Sequence, residues 1–316
     1  MAGIGIIANP HSKLNRRNPR RQKLLSYIAG ERGRFELTND LNELNAVARD
    51  FRDREIQILA INGGDGTISR TLSAFINVYG DQPLPEIALL RGGTINMLAD
   101  NLGIKGTPEH NLFCLLEGHS SDEVFRKQAL RSLKINQDYG FLFANGTSAR
   151  FLEEFYKNKT GPVGSFKLIA RIALSYLVKG KLYRAIVRNE KVALEEGSGR
   201  SFEHGSISVF CSTVPKMPLG SLLFPDALRD QSLFQVVSIT LSEPELVRHM
   251  IPSFMLFPSR PGKSKTRFSA SRLKVSYESP QVYTLDGELY HSQDGHVEVS
   301  TGPLITFLLP ESEADA

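Results

Sequence analysis

Apolar residues in the first 128 positions fall alternately into short continuous runs and into stretches with helical spacing. Residues 3–8, 56–61 and 87–90 are largely apolar runs bounded by polar or turn residues, and they read as strands, with 34–37 a short further strand. Residues 19–28, 41–51 and 68–78 carry the helical pattern. The first opens on Pro19, and the second follows the candidate caps Thr38, Asn39 and Asp40. A short helical segment follows Gly92-Gly93-Thr94, and Thr107-Pro108-Glu109 starts a helix that carries residues 112–116. Strands alternating with helices predict an α/β domain with a parallel sheet.

Beyond residue 124 the runs become short and are split by turn residues. Residues 130–135, 141–144, 182–187, 207–211, 233–239, 282–285, 297–299 and 304–309 read as strands of a mainly antiparallel β-sandwich, interrupted by one helix at 163–178. The expected domains are 1–128 and 129–309, followed by an acidic tail at 310–316. Whether 304–309 returns to the first domain stays open.

Composition narrows the class. The 316 residues are 41% hydrophobic and 23% charged, as in globular proteins, and no apolar run approaches the ~18 residues of a membrane span. No basic leader precedes residues 3–8, so no signal peptide is expected. Cys114 and Cys211 lack metal spacing and read as thiols in a reducing compartment. The net charge of +4 suits an anionic partner. No nucleic-acid-binding signature is present.

Candidate chemistry gathers where strands end. Gly63-Gly64-Asp65-Gly66-Thr67 joins a strand to a helix start, where backbone N–H groups can face a phosphate and glycines are expected to supply positive φ. An acid there needs a cation or a proton beside the phosphate, so Asp65 is a candidate for Mg²⁺ or proton handling; the structural alternative is a helix cap. Asn9-Pro10-His11-Ser12 and Arg91-Gly92-Gly93-Thr94-Ile95-Asn96 also follow strands. Together these loops predict a nucleotide site at one edge of the sheet. Asp286-Gly287-Glu288 is either an ordinary hairpin turn or the carrier of a carboxylate base, Glu288.

In this order and spacing the four segments resemble the diacylglycerol kinase catalytic domain family. That family includes bacterial lipid kinases, sphingosine kinases and ceramide kinases, and its nucleotide domain is similar to that of NAD kinases and phosphofructokinases. The resemblance implies ATP and Mg²⁺ as cofactors and a membrane lipid as substrate. It would place Asn9, Pro10, His11, Ser12, Lys13, Thr38, Gly63, Gly64, Asp65, Gly66, Thr67, Ile68, Ser69, Arg70, Gly93, Thr94 and Asn96 around ATP. Glu288 would accept the proton of the lipid hydroxyl, with Asp65 orienting that hydroxyl or acting through the metal; which of the two is the base stays open.

The chain departs from the family pattern at Lys13, Arg91, Gly92 and Met97, and at Asn145–Leu152, where a usual acid is missing. A structural Mg²⁺ of bacterial members would fall on Leu228, Gln231 and Leu233, with backbone carbonyls as ligands. Basic and apolar residues mix at 165–183, and the apolar run 254–257 precedes Arg260, Lys263, Lys265 and Arg267. Both segments suit peripheral contact with a membrane from the cytoplasm. The expected function is ATP-dependent phosphorylation of a hydroxyl of diacylglycerol or a related lipid. A ceramide or sphingoid-base kinase is the alternative substrate class, and a nucleotide-binding regulatory protein that has lost phosphoryl transfer is the alternative of a different kind. The oligomeric state stays open, a homodimer included.

Overall fold

Every residue of the first strand, β1 (Ile4–Ala8), is buried, and so is every residue of β3 (Ile58–Asn62). Strands covered on both faces show continuous apolar runs rather than alternation. The computed structural model describes residues 3–12, 15–16, 18–121, 125–157, 171, 175, 180–187, 190–240, 265–278, 281–292 and 294–309. By internal contacts it divides into two units, one of Met1–Ser132, Gln137–Gly140 and Gly302–Ala316, the other of Leu133–Asn136 and Phe141–Thr301.

The first unit is α/β. Its strands β2 (Arg34–Leu37), β1, β3 and β4 (Glu86–Leu89) lie side by side in that order, all parallel. The last described strand, β16 (His296–Leu309), extends this sheet in parallel through Phe307 and Leu308, which pair with Ile87 and Ala88 of β4. Helices α1 (Pro19–Ala29) and α5 (Pro108–Ser120) cover one face through Leu25, Ala29, Leu112, Leu115 and Leu116, packed on Ile4, Ile6, Ile58 and Ala60. Helices α2 (Leu41–Asp53) and α3 (Asp65–Tyr79) cover the other, with the rings of Phe51 and Phe75 edge to face at 6.2 Å. Phe51 fits because Gly5 has no side chain: a Cβ there would stand 2.2 Å from its ring. Of the three candidate caps, Asp40 caps α2, accepting from the N–H groups of Asn42 and Glu43 at 2.8 and 2.9 Å. Such a cap contributes about 1 kcal/mol.

The second unit is an antiparallel sandwich. One sheet runs β12 (Lys265–Ala270), β11 (Phe234–Ile239), β10 (Ser208–Ser212), β7 (Leu142–Asn145), β14 (Val282–Leu285) and β15 (Glu288–His291). The other places β13 (Arg272–Tyr277) between the amino-terminal half of β16 and β8 (Glu190–Glu196), with β9 (Ser201–Ser206) beyond. Phe143, Val209, Cys211, Val236 and Leu285 from the first sheet share one core with Leu194, Leu273, Val275 and Val299 from the second. Burial pushes the Cys211 thiol far up, so it behaves as an inert apolar group.

Some expected elements change. Residues 182–187, read as a strand, lie in a helix, α7 (Lys181–Ile186), with Tyr183 and Ile186 on its buried side. Their apolar spacing fits a single helical turn as well as a strand. The runs 297–299 and 304–309 are one continuous 14-residue strand through Gly302-Pro303. A helix that the apolar pattern does not predict, α6 (Thr147–Lys157), follows β7. The expected helix at 163–178 falls largely outside the described residues. The segment 254–257 with Arg260 and Lys263, the tail 310–316 and Lys13 lie wholly outside them. No helix among the described residues is long and apolar enough to cross a membrane.

Candidate functional site

The chain leaves β1 toward β2 on one side, whereas β3 and β4 lie on the other. The carboxyl ends of β1 and β3 therefore flank the point where strand order reverses, the usual crevice for a ligand in such sheets. The loops after β1, β3 and β4 meet here. The Asn9 side-chain amide donates to Thr67 Oγ1 at 3.1 Å, and Ser12 Oγ donates to the Gly92 carbonyl at 3.3 Å. Asn9 Oδ1 also accepts from the N–H of His11, turning the first loop sharply; the His11 side chain stays exposed. Thr38 is buried at the end of β2, its N–H bonded to the Ala8 carbonyl.

The glycines are needed for a reason other than the one expected. None of Gly63, Gly64, Gly66, Gly92 and Gly93 has positive φ; the left-handed residue in these loops is Arg91, at 62°. Instead the loops are packed backbone on backbone. A Cβ on Gly93 would lie 2.3 Å from Gly64 Cα, and one on Gly92 would lie 2.1 Å from Asn62 Oδ1. Gly63 is closed off by Thr67, whose Cβ would stand 2.3 Å away.

Asp65 caps a helix, but not its own. It occupies the first turn of α3, whose cap position is Gly64. Its carboxylate instead receives the N–H groups of Met97 and Leu98, each at 3.0 Å, at the start of α4 (Met97–Asn101). Burial pushes its carboxyl up to about 6, with Asp100 adding to the rise, while the Leu98 and Met97 amides pull the other way. Two helix starts thus meet at one place. The α4 start is neutralised by a carboxylate. Among the described residues no side chain caps the α3 start, and Asp65 is the acid in its first turn.

The remaining expected residues divide. Asn96 pins the third loop by accepting from the Gly93 N–H at 3.1 Å and donating to the Gly93 carbonyl at 2.9 Å. Thr94 is exposed beside it, and Arg70 is exposed on α3. Ile68 and Ser69 are turned into the protein: Ile68 is core, and Ser69 Oγ donates to the Tyr139 carbonyl at 2.6 Å. Two residues were missed. Asn15 and Asn62 are both fully buried; Asn15 donates to the Asn9 carbonyl at 2.8 Å, and Asn62 donates to Asn15 Oδ1 at 3.4 Å. The only hint in the sequence is an amide ending an otherwise apolar strand.

In the second unit Asp286-Gly287 is a two-residue hairpin turn, with both residues at positive φ, 48° and 86°. The Asp286 side chain is 8% exposed and accepts from the N–H groups of Phe141 and Leu142, the latter at 2.9 Å. Glu288, partly exposed, opens β15 directly after the turn. The motif is thus a hairpin turn that also sets Glu288 at the start of the next strand.

The loop expected to hold Mg²⁺ has its carboxylates engaged. Asp226 pairs with Arg229 at 2.9 Å and with the Gln235 amide at 3.2 Å, and Asp230 accepts from the Ser232 N–H at 2.8 Å. Leu228 is exposed, with Gln231 and Leu233 partly so. A cation there would rest on main-chain oxygens next to a guanidinium, a poor donor set. Among the described residues no group of three His, Cys, Asp or Glu is placed to hold a metal.

Residues 4–123 match the family model of the diacylglycerol kinase catalytic domain. The match spans all three loops of the crevice, and with the relatives named as lipid kinases it supports a kinase. Relatives extend the similarity beyond the matched residues. "Probable lipid kinase YegS" of Salmonella arizonae is 21% identical over 258 residues, covering 81% of this chain and 79% of its own. The protein of that name from Escherichia coli is 20% identical over 277 residues, covering 87% and 86%. Among solved structures, a diacylglycerol kinase from Bacillus anthracis superposes with a TM-score of 0.66 at 12% identity, covering 99% of this chain and 98% of that one. That likeness extends the shared fold through the sandwich unit.

Proposed function

We propose that the protein is an ATP- and Mg²⁺-dependent lipid kinase that phosphorylates a hydroxyl of diacylglycerol or a related membrane lipid, working as a peripheral membrane protein on the cytoplasmic side. The observation that carries this reading is the pair of helix starts at the strand-order reversal, the α4 start held by the Asp65 carboxylate and the α3 start without a side-chain cap among the described residues. The kinase-domain match and the relatives named as lipid kinases support the substrate class.

The first-turn amides of α3 would receive terminal phosphate oxygens, with Asn9, Ser12 and Thr94 lining the approach. Each Asp65 oxygen keeps a lone pair beyond its main-chain bond, so Asp65 fits a magnesium ion bound beside the phosphates; that ion supplies charge neutralisation during transfer. Glu288 would take the proton from the attacking hydroxyl. A carboxylate suits this, since transfer asks the protein for positioning and proton removal more than for covalent chemistry.

The test is labelled ATP with magnesium and a panel of micellar lipids: diacylglycerol, monoacylglycerol, ceramide, sphingosine and phosphatidylglycerol. Label is expected on one of them. No transfer to any, from protein shown to be folded, overturns the proposal.

A further inference from the structure

Glu288 follows directly on the Asp286-Gly287 turn, so its placement depends on how firmly that turn is held. One restraint is the Asp286 carboxylate, bonded to the main chain of Phe141 and Leu142. The second comes from α6. Tyr156, one residue before the end of that helix, donates its hydroxyl hydrogen to the Gly287 carbonyl at 2.9 Å. Helix α6 packs on β7, β14 and β15. Its Phe151 and Phe155 lie against the cluster of Tyr183, Ile186, Val187 and Ile207, so the helix that presents Tyr156 is itself anchored. Burial, and then the charge of Glu288, hold the Tyr156 phenol above its ordinary range.

We propose that Tyr156 is a positioning residue for Glu288, fixing the Gly287 carbonyl so that the carboxylate leaves the hairpin in one direction. This rests on the reading of Glu288 as proton acceptor. Turns with both residues at positive φ are narrow in conformation, and the Gly287 peptide is the part free to rotate, since glycine has no Cβ to restrain it. A hydrogen bond to its carbonyl removes that freedom. Losing it displaces the carboxylate without changing its chemistry.

Three variants test this: Tyr156→Phe, Glu288→Gln and the double variant. Phenylalanine keeps the ring packing and removes only the donor. Tyr156→Phe is expected to lower kcat by roughly 5- to 50-fold, within the range a misplacement of about 1 Å produces, with KM for ATP unchanged. In the Glu288→Gln background it should add no further loss, because it acts only through the carboxylate. Amide exchange over 282–291 should speed up in Tyr156→Phe. Full turnover in Glu288→Gln overturns the reading of Glu288 and this proposal with it. A Glu288→Gln enzyme without turnover, beside a fully active Tyr156→Phe, overturns the proposal alone. Unchanged exchange over the turn also overturns it, whichever lipid is used.

Discussion

Asp65 Oδ1 accepts the main-chain N–H of Leu98 at 3.0 Å, across 33 positions of sequence. With the Met97 bond it makes one carboxylate the joint between the loops after β3 and β4. A residue expected to serve metal or proton chemistry is thus also part of the scaffold. Substitution should separate the two roles. Asp65→Asn keeps one acceptor and the size of the side chain, so stability should fall by only about 1 kcal/mol, the worth of a cap. Turnover should fall by roughly 10²-fold or more if the charge serves transfer. Denaturation and initial rates read the two effects independently, and a loss of stability equal to the loss of activity would argue for scaffold alone.

The same carboxyl gives a pH signature. Its folded value, about 6, lies above the unfolded value of 3.8. The folded state therefore binds the proton more tightly. The associated stability is fully present below 3.8 and is lost as pH rises through about 6. Wild type should lose about 1–3 kcal/mol from this group across that interval, and Asp65→Asn should lack that part of the slope. Urea midpoints measured at half-unit steps from pH 4 to 7 check it.

Gly93→Ala should cost at least about 2 kcal/mol, because its Cβ would meet the Gly64 backbone at 2.3 Å and no side chain can move aside. Gly80→Ala is the contrast. A Cβ there meets nothing within 4 Å, and only its φ of 59° is strained, about 1 kcal/mol. Thermal midpoints of both variants test whether loop contact or backbone conformation demands these glycines.

Asp286→Ala strips the acceptor from two main-chain N–H groups in a buried setting. It should destabilise the second unit by about 2–4 kcal/mol. Amide exchange at Phe141 and Leu142 should rise; unchanged protection there would mean the carboxylate is not what holds the hairpin.

Tyr79, 7% exposed, buries a hydroxyl with no hydrogen-bond partner among the described residues, and burial pushes its phenol up to about 12. Tyr79→Phe should therefore be neutral or stabilising by up to about 1 kcal/mol. A clear loss of stability in chemical denaturation would contradict this.

Much of the fold was legible because strands such as β1 and β3 are buried on both faces, and a continuous apolar run as short as 58–61 fits a covered strand better than a helix. Helix α6 was not legible. Its first residues, Thr147 and Ser148 behind Gly146, look like a turn, and its acids look like surface. The positions of the glycine loops could be read, but not the cause, since close approach between Gly64 and Gly93 depends on two strand ends meeting. Asn15 and Asn62 stand 47 positions apart and carry no periodic signal, so their bond appears only once β1 and β3 are paired.

Strand β16 has a bearing on synthesis. Phe307 and Leu308 pair with the side of β4 away from β3, so the first unit receives this neighbour from residues that follow the sandwich in sequence. While a ribosome is still making the sandwich, that border of the sheet is bare, with main-chain groups ready to pair with whatever strand arrives. A fragment ending at residue 123 would keep this defect permanently. Expressing the matched region alone should yield an aggregation-prone product, curable by adding back the terminal strand as a peptide.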